Sequence, residues 1–311
     1  MAAIFKKAKT SARPGGRPPA AVELSADGVL AAALPAAGEP PVYAFAPLPT
    51  DSLVPGIEHV NLRAPQVVAE AIRSALDQAS PRSRSVTLIL PDSTVRVFVL
   101  DFDTLSSKAA EAIPVLRFRL RKMVPFDVEQ AGISYQILSQ SRSECKVLVA
   151  VMPGPILAEY EAAVRAADYE PGAVLPSSLS ALEMAGSFES VLAVNLSDAA
   201  ITTLIATGQD LLLYRTLELP SNHEERLAEI RRNIAVAAAY YEDKLGAPPR
   251  ALHYTGNRDA REFAGWLGDS ALAVMALSEP PTSGVLTPLG HGNIAAVAGA
   301  LAPGGAQAGA Q

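Results

Sequence analysis

The stretch VTLILPDSTVRVFVLDF (residues 86–102), continued through AAEAIPVLRFRLRKM (109–123), VPFDVEQA (124–131) and GISYQIL (132–138), decides the fold. VTLILP is an unbroken apolar run, as expected for a strand covered on both faces of a sheet. STVRVFVLDF alternates instead, with Val95, Val97 and Val99 on one face and Arg96 and Phe98 on the other. In the next segment Ile113, Leu116, Leu120 and Met123 recur at helical spacing. Pro114 is expected to kink that helix or mark its start, and Pro125 to end it. GISYQIL and KVLVAVMP (146–153) follow as two strands. The stretch interrupts a longer α/β pattern, so residues 93–153 read as a small module inserted into a larger domain.

Upstream, AAVEL and VLAAAL flank Ser25-Ala26-Asp27-Gly28, and Asp-Gly signals a tight hairpin whose turn positions take φ > 0. VYAFAPL supplies a third strand. In PQVVAEAIRSALDQA, Val68, Ile72 and Leu76 fall four apart on one helical face. Downstream come the helix PILAEYEAAVRAADYE and the run GAVLPSSLSALEMAG, a strand turning through Pro-Ser-Ser into a short helix. Residues 187–190 form the expected boundary between halves. Then VLAVNL, AAITTLIATG and DLLLYRTLEL give three strands, with Gly208 between the last two. The segment 221–245 is the clearest helix. Ser221 and Glu224 make a capping box, Leu227, Ile230, Ile234, Ala238, Tyr241 and Leu245 form its apolar face, and Gly246 and Pro248 stop it. ALHYTG, DAREFAGWLG and ALAVMAL read as strand, helix and strand. Residues 293–301 form a small-residue helix suited to close packing.

Composition narrows the function. The chain has 311 residues, 49% hydrophobic and 19% charged, enough for about two well-buried domains. A net charge of -6 argues against a nucleic-acid partner. Cys145 is the only cysteine, which excludes an internal disulfide and suits a reducing compartment. No apolar run approaches the roughly 18–20 residues that span a bilayer. The N-terminus lacks the apolar core of a secretory signal, so a cytoplasmic location is expected. Residues 1–19 carry Lys6, Lys7, Lys9, Arg13 and Arg17 without an acid and read as a disordered tail able to touch anionic lipid. Residues 303–311 read as a flexible tail.

The order strand-strand-strand-helix-strand occurs twice, over residues 20–186 and 187–302, as a repeat of organisation rather than of residues. Two such units describe an actin-like, ribonuclease H-like two-domain α/β fold, here with the inserted subdomain at about 93–153. Such folds hold ATP between glycine-bearing hairpins whose amides wrap the phosphates. The corresponding loops depart from that need. Glu23 and Ser25 stand at the acidic and glycine positions of the first, Asn195 and Ser197 at those of the second, and Tyr254-Thr255-Gly256-Asn257 keeps one glycine, Gly256. The expectation is no ATP, or weak ATP and Mg²⁺, no efficient hydrolysis, and turn-forming roles for Asp27 and Asp198. His59, His223, His253 and His291 are scattered, with no metal-ligand spacing. His223 is expected to be solvated and His253 packed. Cys145 lacks a neighbouring histidine, and PLGHGN (288–293) lacks the lysine of a phosphate loop.

The series LILPDSTVRVFVLDF, basic helix, VPFD, strand and KVLVAVMPGPILAEYEAAVRAADYEPGAVLPSSLSAL resembles the PilM family of type IV pilus assembly. The resemblance rests on Leu90, Pro91 and Arg96, on the Pro125-Phe126 turn, and on the helix-then-strand layout after it. It covers about residues 20–301. It implies a cytoplasmic protein peripheral to the inner membrane. Its partner would be the cytoplasmic N-terminal peptide of a PilN-like bitopic protein, bound in a groove beside the insertion, and a pilus-assembly ATPase is a further expected partner. Leu90, Pro91, Arg96 and Phe126 are the expected partner-binding residues. Arg117 and Arg121, one turn apart and opposite the apolar stripe, join them as basic groups for acidic partner or lipid headgroups. The expected function is therefore a non-catalytic scaffold of a type IV pilus or related secretion platform. An actin-like ATPase or sugar-type kinase, and a filament-forming cytoskeletal protein, are the rival readings.

Overall fold

Two residue types shape the first hairpin. In the computed structural model, which describes residues 17–35, 39–141, 143–186, 190–208, 210–268, 272–281, 283–288 and 293–302, β1 (Ala20–Leu24) pairs antiparallel with β2 (Gly28–Ala33). The loop is Ser25-Ala26-Asp27, and neither Asp27 nor Gly28 takes a positive φ, so it is not the tight turn that Asp-Gly suggests. Gly28 is required for another reason: a Cβ there would lie 2.4 Å from the Phe45 ring and 2.6 Å from the Ala46 carbonyl. That ring belongs to β3 (Val42–Pro47), antiparallel to β2. Helix α1 (Pro65–Ala79) buries Val68, Ile72 and Leu76 as its spacing requires, and leads to β4 (Ser85–Leu90), parallel to β1.

After β4 a 3-10 turn at Asp92–Thr94 feeds β5 (Arg96–Phe102), α2 (Ala109–Leu120), β6 (Gly132–Gln140) and β7 (Cys145–Met152). These strands form a separate antiparallel sheet in the order β5-β7-β6. Its two faces lie in different cores. Leu100, Val147, Val149 and Val151 pack with Leu116 and Leu120 of α2, whereas Val97, Leu148, Ala150 and Met152 join the main core. The main chain resumes with α3 (Gly154–Ala166), β8 (Glu170–Pro176), parallel to β4, and α4 (Ser177–Ala181).

The second sheet repeats the first. It is built from β9 (Ser190–Leu196), β10 (Ala200–Thr207), β11 (Asp210–Glu218), β12 (Ala251–Gly256) and β13 (Ala273–Ala276), with α5 (His223–Leu245) and α6 (Ala260–Leu267) between the later strands. The orders β3-β2-β1-β4-β8 and β11-β10-β9-β12-β13 match strand for strand. In each, the hairpin strands run antiparallel and the two later strands parallel. This duplicated order is the actin-like arrangement, with the three-stranded sheet between β4 and α3. The chain then returns to the first half. Tyr43 N–H donates to Gly284 O and Leu286 N–H to Tyr43 O, covering the outer edge of β3. Helix α7 (Ala295–Leu301) packs on α4.

Several local expectations shift. The cap of α5 is Asn222, whose side chain accepts from Glu225 N–H, so the cap lies one residue beyond Ser221. Pro114 lies inside α2, which starts at Ala109; Met123 falls beyond its end and is exposed. Ala112, Leu116 and Leu120 are the buried stripe, with Ile113 at its margin. Arg17, within the tail expected over 1–19, pairs through its guanidinium with Glu183 at 3.1 Å and donates to Gly299 O, so that end of the expected tail is held to the fold. The rest of that tail, the boundary residues 187–189, His291 and the residues 303–311 lie outside the described residues.

The small-residue reading of α7 has a sharp consequence. A Cβ at Gly299 would lie 1.9 Å from Ser180 O, a backbone atom that cannot step aside. Gly299→Val is expected to lower unfolding stability by about 3 kcal/mol, read as a lower urea midpoint with an unchanged slope.

Candidate functional site

The two matching hairpins face each other across a cavity of about 120 Å³ lined by Glu23, Ser25, Phe45, Asp92, Asn195 and Gly256, among others. Small-molecule sites usually enclose roughly 300–1,000 Å³. The hairpins share more than topology. Val22-Glu23-Leu24-Ser25 and Val194-Asn195-Leu196-Ser197 occupy equivalent ends of β1 and β9. The repeat therefore does extend to residues here. In the first, Ser25 N–H donates to Gly28 O at 2.9 Å, and Gly28 N–H donates back to Ser25 Oγ at 3.2 Å. In the second, Ser197 N–H donates to Ala200 O at 2.9 Å and Ala200 N–H to Ser197 Oγ at 3.0 Å. A glycine in place of either serine would leave one amide, Gly28 N–H or Ala200 N–H, without that acceptor. Each serine satisfies one inward instead.

Asp92 closes the cleft floor. It is buried, in the turn between β4 and β5. Oδ1 accepts from Ser178 N–H at 3.0 Å and Ser178 Oγ at 2.9 Å, with the Tyr214 hydroxyl 3.2 Å away. Oδ2 accepts from Asn195 Nδ2 at 2.9 Å. Ser178 belongs to the first half, Asn195 and Tyr214 to the second, so one carboxyl ties both. Burial pushes its pKa up, and the hydrogen bonds from Ser178, Thr202 and Asn195 pull it back. Asp92, Ser178 and Tyr214 escaped sequence reading, although Asp92 stands within the LPD motif. Asn195 thus has a specific structural partner that an aspartate there would repel.

Glu23 lies beside this knot, and its Oε1 accepts from Ser177 Oγ at 2.6 Å. Burial raises its pKa from 4.5 to about 7, the Ser177 bond opposes that, and the nearby Asp92 charge adds to it. At the far end, Gly256 permits strand ends to touch, because a Cβ would lie 2.6 Å from Leu196 O. Asn293 Nδ2 donates to Gly256 O and its Oδ1 accepts from Thr255 Oγ1. Asn257 Oδ1 is buried there and accepts no hydrogen bond among the described residues.

The five cleft residues singled out from sequence thus line one cavity. The six partner-binding candidates do not share one surface. Leu90 is 1% exposed at the end of β4, inside the main core, and presents nothing to a partner. Its apolar run made it a strand interior rather than a rim. Pro91 lines the cavity. Arg96 pairs with Glu218 of β11 at 3.3 Å and donates to Ser93 O and Val95 O. Arg117 is half-buried at the margin of the α2 stripe, not opposite it, and its Nε is buried with no acceptor among the described residues. Arg121 is exposed and pairs with Glu129 at 2.5 Å. Phe126 is half-buried against the core beneath α2. Elsewhere, Asp198 meets Arg258 at 3.2 Å, His223 is exposed, and His253 is half-buried in β12. Among the described residues no group of acidic, histidine and cysteine side chains could hold a metal, and no helix is long and apolar enough to cross a membrane.

No protein-family model matches the chain, and no curated protein matches it. Solved structures do. The chain aligns with a PilM-PilN type IV pilus biogenesis complex at a TM-score of 0.71 and 17% identity, over 93% of this chain and 100% of that one. The cytoplasmic domain of EpsL, an inner-membrane component of the Vibrio cholerae type II secretion system, aligns at 0.48 and 14%, over 76% and 81% of the two chains. A Bacteroides thetaiotaomicron protein with an actin-like ATPase fold and unknown function aligns at 0.48 and 13%, over 83% and 89%. The actin-like fold expected from the sequence is therefore shared with the PilM-PilN structure over its full length.

The cleft chemistry gives two expectations. Glu23 titrates higher folded than unfolded, so its protonated form favours the fold; its contribution to stability is fully present below pH 4.5 and is lost as pH rises through about 7. Glu23→Gln is expected to flatten that slope and to raise stability at pH 8 by about 2–3 kcal/mol, measured by urea unfolding across pH. Asn195→Asp places a second carboxylate against Asp92 Oδ2 and is expected to cost about 2–4 kcal/mol at pH 8, with part recovered at pH 5.

Proposed function

We propose that the protein is a non-catalytic cytoplasmic scaffold of a type IV pilus or related secretion platform at the inner membrane, binding the cytoplasmic N-terminal peptide of a PilN-like protein. The full-length likeness to the chain of the PilM-PilN complex carries the reading. The inserted module supports it. Strand β6 is an outer strand of its sheet, half-buried from Gly132 to Leu138, and such an edge accepts an added extended segment. Arg117 offers a buried donor that lacks an acceptor, and a peptide carbonyl or carboxylate would supply one.

The cleft fits this role better than it fits ATP turnover. Each hairpin serine takes up one loop amide, Gly28 N–H or Ala200 N–H, and the cavity volume is small. Mg²⁺·ATP does not fit these residues as they stand, because Asn195 holds Asp92 where a second carboxylate would be wanted. One observation favours a retained nucleotide as a second reading: the unpartnered Asn257 Oδ1 at the cleft end.

Calorimetric titration separates the two. A synthetic peptide from the cytoplasmic N-terminus of a PilN-like protein is expected to bind, and Arg117→Glu to weaken it more than about tenfold. Mg²⁺·ATP is expected to give no heat. ATP binding that Asn257→Ala abolishes, without peptide binding, would replace the scaffold reading with the second.

A further inference from the structure

The outward face of α2 carries a feature that neither the cleft nor a peptide groove uses. Phe118 is 76% exposed and Val115 46% exposed, on a helix whose other side is fully packed through Ala112, Leu116 and Leu120. At 100° per residue, Val115 and Phe118 lie 60° apart on the helix with Arg119 next to Val115, and Arg121 and Lys122 follow in the turn that ends it. The helix is charge-segregated along its length. Glu111 near its start is met by Lys108 and Ser106, and Glu129 meets Arg121 at its end. Arg119 and Lys122 are exposed, and among the described residues no acidic side chain pairs with either.

Basic residues in the last turn of a helix are ordinarily explained by the helix dipole. That accounts for the charges and leaves an exposed phenylalanine among them unexplained. We propose that this face docks on an anionic membrane surface, with Phe118 and Val115 entering the headgroup–acyl boundary and Arg119 and Lys122 lying among the lipid phosphates. Charge complementarity selects that occupant: a basic strip on a chain of net charge -6 orients the molecule toward an anionic plane. Shape agrees. The apolar part is a convex ridge of two side chains, far smaller than the roughly 20–30 residues a side of a stable protein interface, and a bilayer needs no matching groove. The proposal stands on this surface alone and is independent of peptide binding.

Co-sedimentation of the full chain with vesicles tests it, using phosphatidylcholine alone and phosphatidylcholine with one third phosphatidylglycerol. The wild-type chain is expected to partition onto the anionic vesicles only, and to leave them at high salt. Arg119→Glu with Lys122→Glu is expected to reduce partitioning at least about tenfold, and Phe118→Ser to reduce it severalfold without altering the salt dependence. All three side chains are exposed, so unchanged melting temperatures should accompany these losses. Lys6→Glu, Lys7→Glu and Lys9→Glu together serve as the comparison. Four results would overturn the proposal: no wild-type binding to anionic vesicles, α2 variants that bind like wild type, loss confined to the lysine triple variant, or a concentration-dependent dimer in sedimentation velocity that Phe118→Ser dissolves.

Discussion

The buried carboxylate of Asp92 is where the three sheets meet. It follows β4 of the first sheet, precedes β5 of the inserted one, and accepts hydrogen bonds from Asn195 and Tyr214 of the second. Removing a carboxylate from water costs several kcal/mol unless its lone pairs are filled, so the position is tolerable only with all its donors in place. That makes the relation of the two halves a condition of burying Asp92. It also fixes the end of β4, because a one-residue slip would turn the carboxylate to the other face of the sheet.

The same economy governs the hairpins. A backbone amide in a buried cleft must find an acceptor, and the choice of residue at the loop decides where. With glycine the amides remain for a ligand. With Ser25 and Ser197 one is consumed locally on each side, and the two halves do this in the same way. The symmetry of the substitution is informative. In both hairpins a serine hydroxyl accepts a loop amide, and the Phe45 ring packs against Gly28 beside the first.

Much of this was legible in the sequence because it is periodic or local. The spacing of Val68, Ile72 and Leu76, the apolar run of β4, and the duplicated strand order all follow from side-chain period and burial. The paired hairpin loops, singled out by analogy with ATP-binding hairpins, line one cavity. What escaped was long-range. Asp92 meets Ser178, Asn195 and Tyr214 across 86, 103 and 122 positions, and no local pattern encodes such pairings. Leu90 was misread because a motif residue looked like a contact residue, although its apolar surroundings already marked it as interior. The cap of α5 slipped by one because Ser221 and Asn222 are both good caps, and only the entry geometry chooses.

Strand β5 shows why the inserted module is not a loosely tethered domain. Its odd residues Val97 and Val99 pack toward the main core, and its even residues Phe98, Leu100 and Phe102 toward the core under α2. Swinging the module away would expose Val97, Leu148 and Met152, each worth about 1.5–3 kcal/mol of burial. It would also break the pair between Arg96 and Glu218 that reaches the second sheet. Domain pairs that open and close usually meet across modest, polar interfaces. Here one face of the module's sheet packs into the main core, and the halves share a buried carboxylate. A chain so connected holds the inserted module against the main core and ties the two halves to each other at Asp92.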